Sequence, residues 1–182
     1  MNDTNMKTIS EYLDIFIRMT VVYVVMFILF VLNISATTSA LSAMGEVPFT
    51  LMLIYYWSVY RPSLLPSIIV FGLGASFDLL SMMPLGLNAL IFLIVRYVIT
   101  SQRLFLTGQP FIIVWLGFAV VSFAALSMQW AFHGLIVFQW SAIEPIIFTV
   151  LISVFIYPPI SILLHFLHKI LPDIQDQYSA VK

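Results

Sequence analysis

Apolar residues run along this chain almost without a break, and sparse polar positions divide them into segments. The first run covers 16–34, and about 20 apolar residues suffice to cross a bilayer as a helix. The second, 46–60, holds an apolar stretch of only 13 residues from Pro48 to Tyr60. As a helix that stretch is about 20 Å long, so it must extend back through Gly45 and Glu46 or remain short and partly re-entrant. Tyr55, Tyr56, Trp57 and Tyr60 cluster at its end, as aromatic belts do at a headgroup boundary. Arg61-Pro62 then makes a tight turn. Further runs cover 63–80, 85–101, 111–130 and 144–167. Pro158 and Pro159 lie inside the last run, where each removes a backbone donor and crowds a preceding carbonyl, so a kink is expected there. Leu135–Trp140 is apolar but too short to cross, and is expected to lie along the interface. The pattern predicts a single all-α membrane domain, a six-helix transmembrane bundle.

Composition excludes the soluble alternative. The 182 residues are 62% hydrophobic and 8% charged, whereas a soluble domain carries about 25% charged residues. Mean hydropathy is +1.09. Cysteine is absent, so disulfides and thiolate metal sites are excluded. A net charge of −1 argues against a nucleic-acid partner. The basic flank, apolar core and Ser35–Ala43 segment resemble a cleavable leader, but Glu11 and Asp14 argue against cleavage. With six spans and both termini cytoplasmic, Lys7, Arg18, Arg61, Arg96, Arg103, Lys169 and Lys182 all fall at the inner face, as the positive-inside rule requires.

The stretch from Phe71 to Leu90 concentrates the polar and small residues. Gly72 and Ser76 are four apart, as are Gly74 and Asp78, so small surfaces are expected to stack along adjoining strips of one helix and let backbones approach closely in lipid. Pro84 suits the first turn of the next helix, where its missing N–H is harmless. Asp78 is expected near the outer boundary. It can act either as a ligand or proton site or as a clasp on the free N–H groups of Leu85–Leu87, and anions at helix starts favour the clasp. Asn88 is expected to bond across to a neighbouring helix, and Arg96 to snorkel to the headgroups. Glu46 and Glu144 read as solvated flanks. His133, His165 and His168 make a poor metal set. No phosphate-binding, nucleophile-elbow or zinc-protease motif is present, so no enzyme and no cofactor is expected.

Tyr56-Trp57 with Arg61-Pro62, then Gly72-x-Gly74-x-x-x-Asp78, then Pro84-Leu85-Gly86-Leu87-x-Ala89-Leu90 resembles the MreD family of rod shape-determining proteins. Chain length and near-total membrane embedding fit as well. Gly74 departs mildly from the usual Gly-Leu-Leu run. The resemblance implies a fold similar to the substrate-binding components of energy-coupling-factor transporters. It also implies work in lateral peptidoglycan synthesis with an MreC-like single-span protein, the actin-like MreB, the RodA glycosyltransferase and a class B penicillin-binding protein. It supplies no catalytic residue. The structural positions singled out are Gly72, Gly74, Ser76, Asp78, Pro84, Gly86 and Asn88. Two functions remain open: a non-catalytic scaffold in membrane lipid, or a vitamin-binding subunit of a transporter, which would need convergent polar groups in a central cavity.

Overall fold

The computed structural model describes residues 3–38, 47–138, 140 and 142–171. These form six α-helices: α1 (Asp3–Thr38), α2 (Phe49–Tyr60), α3 (Ser67–Leu80), α4 (Leu87–Thr107), α5 (Phe111–Val137) and α6 (Glu144–Ile170). No strand occurs among the described residues. Glu46 and most of the expected outer loop after α1 lie outside them, as do the side chains of Lys7, Glu11 and Asp14 and all of Lys182.

The organising element is α2. It is apolar all round its circumference, and a helix of that kind has no face to give to water. Ten of its twelve residues, Thr50 to Val59, are buried, and it packs against α1, α4, α5 and α6. At 12 residues it is about 18 Å long, and α3, at 14, is about 21 Å. By length and apolarity only α1, α4, α5 and α6 are candidate membrane spans, so the two short helices fall below the span length that the sequence pattern suggested. The α2–α3 turn is held by side chains. The Tyr23 hydroxyl donates to the Leu64 carbonyl (3.1 Å), and Arg96 donates through Nε to the Leu65 carbonyl (2.6 Å) and through a terminal nitrogen to Ser67 Oγ (2.9 Å). Arg96 is thus a brace for the turn.

The tyrosine-rich end of α2 is no headgroup belt either. Tyr55, Tyr56 and Trp57 are all buried. Tyr55 sits edge-on to Phe118 and Tyr157, which stack with centroids 4.2 Å apart. Its hydroxyl donates to the Val114 carbonyl (2.8 Å). Gly117 makes room for that hydroxyl, because a Cβ there would lie 2.7 Å from it.

Several helices run differently from the apolar pattern, α1 beginning at Asp3 instead of near Phe16. α4 extends to Thr107, six residues beyond the expected end, and α5 continues to Val137 before Phe138 turns it at φ 54°. Leu135–Val137 is thus the last turn of α5. Trp140 folds back onto Gly134 and lies 4.9 Å, centroid to centroid, from Trp130. α6 is helical throughout, Pro158 and Pro159 included. The N–H that Pro158 lacks would have bonded the Val154 carbonyl, and that carbonyl instead accepts the Trp115 indole N–H at 2.8 Å.

Candidate functional site

The α3–α4 hairpin is built around one carboxylate. Asp78 is fully buried near the C-terminal end of α3. Its Oδ2 accepts the Gly86 N–H (2.9 Å) and, at 3.5 Å, that of Ala89; its Oδ1 accepts the Asn88 backbone N–H (3.0 Å) and the Asn88 side-chain amide (2.8 Å). These are the orphan donors of the start of α4, where the helix dipole also favours an anion. The clasp therefore engages Gly86, Asn88 and Ala89, displaced from the expected Leu85–Leu87 because α4 begins at Leu87. Pro84 consequently precedes the helix and accepts from Leu87 N–H in the turn (3.2 Å). Gly86 caps α4 at φ 94°, in the region that disfavours a Cβ. Asn88 turns its side chain back to Asp78.

The two small-residue pairs separate. Residues two apart on a helix are about 200° apart in angle, so Gly72 and Gly74 occupy opposite faces, not adjoining strips. Gly74 is buried against α4, where a Cβ would lie 2.6 Å from the Ala89 backbone nitrogen. Gly72 and Ser76 are exposed, and nothing lies within 4 Å of a Cβ at Gly72.

Polar groups converge where α1, α3 and α5 finish and α2, α4 and α6 begin. A cavity of about 40 Å³ is lined there by Asn33, Asn88, Gln129 and Thr149 among apolar residues including Leu51 and Phe92. Asn33 is buried on α1 and its Oδ1 accepts the Thr50 backbone N–H (2.8 Å), capping the start of α2. Sequence reasoning singled out neither Asn33 nor Thr149. The one available signal was that Asn33 interrupts an otherwise apolar run. Among the described residues, no group of three or more His, Asp or Glu is placed to hold a metal ion.

The opposite end collects the described cations. Arg18 donates to the Ile170 carbonyl (3.2 Å), tying α1 to the finish of α6; Arg61 caps α2, Arg96 braces the α2–α3 turn, Arg103 lies toward the end of α4 and Lys169 in the last turn of α6.

Helices of spanning length and an apolar surface define an all-helical membrane protein. The family model for rod shape-determining protein MreD matches residues 14–167, and the chain belongs to that family. Membership places it in rod shape determination. Comparison with curated proteins and with solved structures gives no match.

Proposed function

We propose that this chain is a non-catalytic, multi-pass scaffold of the cell inner membrane that helps direct lateral peptidoglycan synthesis by holding an MreC-like single-span partner. Through that partner it works indirectly with the actin-like MreB, the RodA glycosyltransferase and the class B penicillin-binding protein. The observation that carries the reading is the outer face of α3. Ile68, Gly72, Ser76 and Leu79 recur at helical spacing and are all exposed, and small residues on a lipid-facing helix let a second helix come close. The chemistry-bearing groups support it too, since the Asp78 carboxylate is occupied by four donors from α4 and its cap. A vitamin site needs roughly 300–1,000 Å³, well above the 40 Å³ of the polar cavity, which favours the scaffold over the transporter subunit.

The test compares the two faces of α3. Gly72→Leu with Ser76→Leu is expected to fold in normal amount, to lose the co-purifying MreC-like protein and to round the cells. Gly74→Leu is expected to lower the amount of folded protein, because its Cβ meets the Ala89 backbone. A double variant that keeps both the partner and rod shape overturns the scaffold assignment of this face.

A further inference from the structure

We propose that the cavity where α1, α3 and α5 finish is a binding site for a neutral amide group. Two of its walls are asparagines whose orientation is fixed by what they already hold. The Thr50 backbone N–H at 2.8 Å can be accepted only by the carbonyl end of the Asn33 amide, so Asn33 Nδ2 remains for the cavity. The Asp78 carboxylate at 2.8 Å can be served only by the NH2 end of the Asn88 amide, so Asn88 Oδ1 remains. Neither remaining atom bonds a group among the described residues, although Asn33 and Asn88 are only 3% and 2% exposed. The residues lining the cavity thus hold an unspent donor on α1 and an unspent acceptor on α4. Gln129 adds an amide able to serve in either sense, and Leu51 and Phe92 supply apolar wall.

That arrangement discriminates by chemistry. An amide offers a carbonyl to Asn33 Nδ2 and an N–H to Asn88 Oδ1, and its apolar substituent suits the rest of the wall. A carboxylate has no N–H for Asn88 and would approach the Asp78 charge behind it. An ammonium has no acceptor for Asn33. A buried polar group left unpaired is costly, so each charged group is rejected. At about 40 Å³ the cavity admits a few heavy atoms, hence one amide group, free or at the tip of a larger molecule.

The chain has four asparagines, Asn2, Asn5, Asn33 and Asn88, so asparagine-selective 15N labelling gives a sparse side-chain amide spectrum. Asn2→Ser with Asn5→Ser assigns the two cavity signals. Acetamide, titrated into the full chain in detergent, is expected to move the Asn33 and Asn88 signals together and saturably, leaving Asn2 and Asn5 unmoved, while acetate moves none. An equal response to N-methylacetamide assigns a peptide or N-acyl source; a response to acetamide alone assigns a terminal carboxamide. Gln129→Leu, outside the Asp78 clasp, is expected to weaken acetamide by roughly three- to tenfold, the worth of one hydrogen bond. Absence of saturation, an equal response to acetate, or unchanged affinity in that variant overturns the proposal.

Discussion

Asp78 shows what one carboxylate does when the only polar groups in reach are a helix start. Four donors converge on its two oxygens, from Gly86, Asn88 and Ala89. Replacement by Asn keeps one acceptor oxygen but turns an NH2 toward donors, so about half of the clasp survives. Replacement by Ala leaves all the donors without that partner, at about 1–3 kcal/mol for an unpaired buried group. Thermal unfolding in detergent is therefore expected to rank the wild type first, Asp78→Asn second and Asp78→Ala last. Equal destabilisation of both variants would mean that the charge, not the acceptor, holds the hairpin. The sequence made this clasp legible because an acid followed by Pro84, Gly86 and a fresh apolar run has few other uses. It hid Asn33 because the partner, the N–H of Thr50, is a backbone group that no residue type advertises.

At the scale of helices, what the sequence concealed follows a single cause: tertiary contacts override local signals. The aromatic cluster ending α2 has the composition of an interface belt, yet it packs inward because α2 is surrounded on all sides. Pro158 marks a place where α6 must lack a hydrogen bond, but the donor that replaces it comes from Trp115 on another helix. A double-mutant cycle reads that exchange. Trp115→Phe is expected to cost about 1 kcal/mol in the wild type, the net worth of one hydrogen bond. In a Pro158→Ala background the restored N–H can occupy the Val154 carbonyl, so the same change is expected to cost measurably less. Identical costs in both backgrounds would show that the indole does not substitute for the missing N–H. The six apolar runs themselves were readable because turns such as Arg61-Pro62 and Gly108-Gln109-Pro110 break the pattern between helices. Their limits moved where residues such as Leu104 and Leu106 prolong a helix without changing the apolar pattern.

The whole molecule sets its cations against its cavity. Arg18, Arg61, Arg96, Arg103 and Lys169 gather at the end where α2 passes to α3 and α4 to α5, while the amide-lined cavity occupies the other. The positive-inside rule predicts a cytoplasmic cationic end, which would turn the cavity outward and set the start of α1 and the finish of α6 inside. The short α2 and α3 make the α2–α3 turn the decisive point, since a re-entrant hairpin would return the chain to the same outer side without reaching the cytoplasm. Reporter fusions near Met83 cannot separate those paths; they report outside in both. Labelling can, because the chain has no cysteine to interfere. Ser63 and Met82 are both exposed, at opposite ends of the hairpin. Ser63→Cys is expected to react with a membrane-impermeant maleimide only in inside-out vesicles, and Met82→Cys only in right-side-out cells. If Ser63→Cys reacts from neither side while Met82→Cys still reacts from outside, α2 and α3 form a hairpin closed within the bilayer. Arg96 would then be bracing a buried turn, with its charge held by the Leu65 and Pro62 carbonyls and the Ser67 hydroxyl.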